Sequence, residues 1–161
     1  MLGPTASAPR PFSPHPLPLL VALPLGLALL GGLGLGDHYG ETTCLLLAPL
    51  LIPVAVWLIA FCRQPGPLTK AFLSAAIIAL YDLSIKLYGG GSHDAEGQGA
   101  FHFLLLLGSL PSFLVLVAAL DQQQSGTRRR RRVAKVLFLA LLLLHLGLTA
   151  NLGLGRCINC Y

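Results

Sequence analysis

Five apolar runs of near-equal length dominate this chain: residues 17–35, 44–62, 71–88, 101–120 and 133–152, each 18 to 20 residues long. Short polar connections separate them. A lipid hydrocarbon core is about 30 Å thick and takes about 20 helical residues to cross. Backbone amides find no partner in lipid unless the segment satisfies them itself, so such runs must be helices. A β-barrel needs alternating segments of about 10 residues, and the unbroken Leu tracts at 104–107 and 141–144 do not alternate. The expected fold is therefore all-α: a polytopic integral membrane bundle of five transmembrane helices.

Charge supports this. Only 11% of residues are Asp, Glu, Lys or Arg, against about 25% in a soluble domain. A soluble fold so poor in charge would expose apolar patches and aggregate. The bilayer is the expected solvent and first partner. Of the eleven basic residues five form one run, Arg128, Arg129, Arg130, Arg131 and Arg132. No aromatic residue stands beside that run, so it lacks the stacking surface that nucleic-acid binding uses, and no nucleic-acid partner is expected. The run instead suits orientation and contact with anionic lipid headgroups.

Three regions follow. Residues 1–16 are rich in Pro, Ser and Ala and read as a disordered tail. Residues 17–154 are expected to form the single transmembrane domain, and residues 155–161 a short external tail with a CxxC motif. Pro49 and Pro53 are expected to kink the second stretch. The third stretch holds Asp82 and Lys86. Eight strong apolar residues there contribute roughly −2.5 to −5 kcal/mol to insertion, and two off-centre charges cancel most of that. It is expected to insert with help from its neighbours.

Basic and non-basic connections alternate. Residues 63–70 and 121–132 hold Arg63, Lys70 and the arginine run; residues 36–43 and 89–100 hold no Lys or Arg but carry Asp37, Glu41, Asp94 and Glu96. The positive-inside rule then places the N-terminus in the cytoplasm and the C-terminus outside, in a plasma or bacterial inner membrane. Arg156 is the mild dissenter. If the first stretch is a cleaved signal peptide, with Gly34-Leu35-Gly36 as a poor site, four helices remain in the same orientation.

Few groups suggest chemistry. Asp82 and Lys86 stand at i and i+4, acid first, the favourable order for a helical ion pair. One reading is a self-satisfied pair with Lys86 snorkelling outward; the other is an ion or proton site. Measured from the starts of their apolar runs, Asp82 and His145 share a depth of roughly 17 Å. They pair if their helices touch. A possible external metal set is His38, His93, Asp94, Glu96 and His102, although its spacing matches no established site and GGG at 89–91 precedes it. Cys157 and Cys160 form a CxxC that follows a helix C-terminus, whereas redox proteins place theirs at an N-terminus. On the oxidising side a local disulfide is the simpler expectation. Cys44 and Cys62 lie roughly 27 Å apart along one helix and cannot bond.

No nucleotide, zinc-protease or serine-hydrolase motif occurs. No cofactor is expected. The favoured role is a non-enzymatic structural or accessory membrane protein, alone, as a homo-oligomer or within a larger complex. The alternatives are a thiol–disulfide or metal-dependent oxidoreductase using Cys157 and Cys160, and an ion or proton translocator using Asp82, Lys86 and His145.

Overall fold

The computed structural model describes residues 41–62, 65–88, 95–122 and 126–152. They form four α-helices and no strand: α1 Glu41–Phe61, α2 Pro67–Tyr88, α3 Ala95–Gln122 and α4 Arg128–Thr149. The first apolar stretch and both tails lie outside the described residues. The other four stretches each become one helix, and every helix starts upstream of its apolar run: Glu41 against Cys44, Pro67 against Ala71, Ala95 against Phe101, Arg128 against Val133. Apolarity measures the greasy part of a helix, whereas its start is set by local backbone chemistry. Pro67 opens α2, where its missing amide costs nothing and its fixed φ suits the first turn. Thr127 caps α4, its hydroxyl accepting from the Arg130 amide at 3.3 Å. The connection expected over residues 89–100 is correspondingly shorter, since Ala95–Ala100 are already helical. α1 remains one helix through Pro49 and Pro53, and α3 through Pro111.

The helices run alternately up and down. Lys70 at the start of α2 meets Ala60 at the end of α1. Asp121 at the end of α3 meets Lys135 near the start of α4. Lys86 near the end of α2 meets His102 in α3 and Thr149 at the end of α4. Around the bundle the order is α1, α2, α4, α3, with α1 packed most broadly on α3 and α2 on α4; α1 and α4 do not touch. The parallel pairs thus make the broad contacts. All Lys and Arg residues of the described chain except Lys86 gather at one end, and the other end holds Asp82, Lys86, His102 and His145.

The core is aliphatic with small residues at close approaches. Val56 and Ala60 of α1, Ala71, Ala75 and Ile78 of α2, Leu116 and Ala119 of α3, and Ala134 and Phe138 of α4 are buried in one cluster. Small side chains let apolar helices approach closely, which matters when lipid offers no hydrophobic drive between them. Phe113 stacks on Phe138 with ring centroids 5.8 Å apart, joining α3 to α4. The outer faces are equally apolar: Leu50, Val54 and Trp57, Leu110 and Leu114, Leu143 and Leu148 are all exposed. Segments Pro67–Leu87, His102–Gln122 and Arg128–Thr149 are long and apolar enough to cross a membrane, and α1 adds the shorter apolar segment Pro49–Phe61.

Among the described residues one glycine has a required conformation. Gly126, just before the α4 cap, has φ 77°, and a Cβ there would lie 3.3 Å from Pro67 Cγ. Gly126→Ala should therefore destabilise the bundle by about 1–2 kcal/mol, lowering the melting temperature in detergent by several degrees. Gly66→Ala, where an added Cβ meets nothing within 4 Å, is the control. Equal melting of the two variants would show that the α3–α4 turn does not constrain the fold.

Candidate functional site

Two polar assemblies occupy the two ends of this apolar bundle. The first is built from α2. Asp82 and Lys86 lie on one face, a turn apart, and their side chains are almost fully buried (4% and 1% exposed). Lys86 Nζ sits 2.8 Å from Asp82 Oδ2. His145 Nε2, from α4, sits 2.8 Å from the same oxygen. Thr149 stands one turn beyond His145. Its hydroxyl donates to the His145 carbonyl at 2.8 Å and lies 3.4 Å from Asp82 Oδ2.

The ammonium of Lys86 has three protons and three acceptors around it: Asp82 Oδ2, the Thr149 carbonyl at 3.0 Å and His102 Nε2 at 3.5 Å. Buried charge is tolerated when it is paired and its remaining hydrogen-bonding capacity is used. Both conditions hold here. Contact with the ammonium makes His102 Nε2 an acceptor, so its proton resides on Nδ1. Contact with the carboxylate makes His145 Nε2 a donor. The result is a polar line from His102 through Lys86 and Asp82 to His145, crossing α3, α2 and α4.

The structure brings Asp82, Lys86 and His145 together, as their helical positions anticipate. Asp82 lies six residues before the end of α2 and His145 four before the end of α4. Counted from the starts of their apolar runs the two still share a depth of roughly 17 Å; the helices themselves begin earlier, at Pro67 and Arg128. Lys86 does not snorkel: its ammonium turns inward to α3 and α4. His102, considered among external metal ligands, lies within α3 against that ammonium. A cation at 3.5 Å opposes a metal ion on the same nitrogen. Glu96 falls in the first turn of α3. His38, His93, Asp94, Cys157 and Cys160 lie outside the described residues. Among the described residues no group of three or more His, Cys, Asp or Glu is placed to hold a metal.

The second assembly is basic. Lys70 is fully buried, and its ammonium donates to the Ala60 carbonyl at 2.7 Å. It thereby satisfies a terminal carbonyl of α1 and meets the negative end of that helix's dipole. Across the bundle, Arg131 Nη1 reaches the Leu120 and Asp121 carbonyls at 3.3 and 3.4 Å. Lys135 clasps both Asp121 carboxylate oxygens at 3.0 and 2.8 Å. Arg128, Arg131, Arg132 and Lys135 line, with Asp121, an open cleft of about 300 Å³.

Sequence reasoning missed Lys70, Thr149 and the division of labour within the arginine run. The apolar pattern makes Lys70 a connection residue; its place just after a two-helix turn is the signal that it can reach back to the preceding helix end. Thr149 stands at i+4 from His145, which marks it as a neighbour on the same face.

No family model, curated protein or solved structure matches the chain.

Proposed function

We propose that this chain is a five-span integral membrane protein of structural or accessory role, whose Asp82–Lys86–His145 cluster fastens α2 to α3 and α4. The observation that carries the reading is the reversal of polarity. Large apolar side chains cover the outside of every described helix, while Asp82, Lys86 and Lys70 are buried within. Water would not tolerate that exterior, and lipid solvates it. The cluster also holds itself satisfied, as a structural clasp should. The apolar exterior equally suits self-association or docking into a larger membrane complex. Under the positive-inside rule the end bearing Lys70 and the arginines is cytoplasmic, and the Asp82 end faces outward.

Thiol labelling in intact cells tests this. In single-cysteine variants, an impermeant maleimide should reach Cys157 directly and Cys62 only after permeabilisation. The reverse pattern would overturn the orientation. Release of the chain by alkaline carbonate would overturn membrane integration itself.

A second reading has one observation in its favour. The cluster links four ionisable side chains, His102, Lys86, Asp82 and His145, by successive contacts of 3.5, 2.8 and 2.8 Å. Ionisable groups buried in spans often mark proton or ion paths. Proton flux into liposomes separates a path from a clasp. The thiol–disulfide alternative rests on Cys157 and Cys160 and draws no support from the geometry of the four helices.

A further inference from the structure

The arginine run divides by helical geometry. Positions 128, 131, 132 and 135 fall on one side of α4 at the i, i+3, i+4, i+7 spacing of neighbours, and these four line the cleft of about 300 Å³ with Asp121. Arg131 and Lys135 are committed to the end of α3 and to the Asp121 carboxylate. Arg128 and Arg132 are exposed and form no ion pair among the described residues. Four cations against one acid leave the cleft strongly positive. Arginines are also unfavourable in the first turn of a helix, where the dipole is positive and no acid offsets it. An anion in the cleft would relieve both.

The surface below the cleft indicates what kind of anion. Continuing the line of Arg128 and Arg132 down α4 at helical spacing come Val136, Leu139 and Leu143, exposed by 66%, 40% and 68%. Ala134, Phe138 and Leu142 on the adjoining face are buried. A basic cleft thus opens directly onto an apolar stripe along the same helix. A free phosphate has no use for that stripe; an anionic lipid matches both parts.

We propose that the α3–α4 cleft is a discrete site for one anionic phospholipid, its phosphodiester held by Arg128 and Arg132 and an acyl chain lying along Val136, Leu139 and Leu143. The site rests on the membrane reading above. It differs from a general polybasic attraction in depending on which arginines are present, not on how many.

The full chain, purified in neutral detergent, is titrated with phosphatidylglycerol and with phosphatidylcholine, and bound lipid is counted by native mass spectrometry. The wild-type protein should retain one phosphatidylglycerol in clear preference to phosphatidylcholine. Arg128→Gln/Arg132→Gln should weaken that binding by about 30-fold, at roughly fivefold per arginine. Arg129→Gln/Arg130→Gln removes the same charge outside the cleft and should leave most of the binding. Equal losses in the two double variants, or no preference for phosphatidylglycerol, would overturn the site. Displacement of the lipid by inorganic phosphate at similar concentrations, or equal affinity for glycerol phosphate, would overturn the lipid as its source. A chain monodisperse without detergent would refute the membrane reading itself, a failure visible before any lipid is added.

Discussion

Asp82→Ala should unfold or strongly destabilise the bundle, and adding Lys86→Met should rescue it. The single change leaves the Lys86 ammonium buried with neutral acceptors only, the Thr149 carbonyl and His102 Nε2. Breaking one side of a buried pair costs about 3–5 kcal/mol, whereas replacing both sides with apolar groups is often neutral. Melting followed in detergent should therefore place Asp82→Ala/Lys86→Met well above Asp82→Ala and short of wild type only by the lost His145 hydrogen bond. A double variant as unstable as the single would sink the clasp, because the loss would then not arise from a stranded charge. The His145 contact should be weaker. Interhelical hydrogen bonds in membrane proteins average about 0.6 kcal/mol and reach about 1.7, so a double-mutant cycle between Asp82→Asn and His145→Gln should show coupling in that range. The same variants distinguish clasp from proton path. As a clasp, the wild-type protein adds no proton flux to liposomes. If it does, and Asp82→Asn abolishes the flux while melting normally, the path reading prevails.

The cluster was legible in the sequence to the extent that geometry is periodic. Asp82 and Lys86 are a turn apart on one helix, and His145 is at a comparable distance along another, so their meeting required only that α2 and α4 be neighbours. Nothing in the apolar pattern says which helices are neighbours. All four have broad greasy surfaces, and in the α1, α2, α4, α3 order small residues such as Ala75 and Ala134 and the Phe113–Phe138 stack lie in the buried cluster. Helix starts were obscured for a different reason. Residues 95–100 and 128–132 are polar, yet they propagate helix from a cap or a permissive first turn. The same limit puts His102 at the edge of an outer connection in the sequence, since its apolar run begins only one residue before it. The arginine run illustrates the same limit: five like charges look uniform in one dimension, while the helix commits Arg131 to the end of α3 and leaves Arg128 and Arg132 exposed in the cleft beside it.

Lys70 provides the contrasting case, in which no partner substitution can rescue the loss. The Ala60 carbonyl, a backbone group, accepts from it at 2.7 Å, and α1 has no basic residue in its own last turn. Lys70→Met keeps much of the side-chain volume and removes the donor, so the buried 2.7 Å bond to the Ala60 carbonyl is lost at a cost of about 1–3 kcal/mol. Lys70→Glu should be worse than Lys70→Met, because a carboxylate would then face terminal carbonyls and the negative end of the α1 dipole. Lys70→Arg retains the charge but brings a larger planar group into a fully buried site, so it should fall between wild type and Lys70→Met. The expected order of melting temperatures is wild type, Arg, Met, Glu. A Lys70→Met variant as stable as wild type would mean that the carbonyl finds another donor and that Lys70 is at this end for its charge alone. In that event its effect should appear in topology and not in melting: with Lys70 neutral, Cys62 would begin to label from outside. The two measurements therefore divide the roles of a cytoplasmic-end lysine, one as helix cap and one as orientation signal, which composition alone cannot separate.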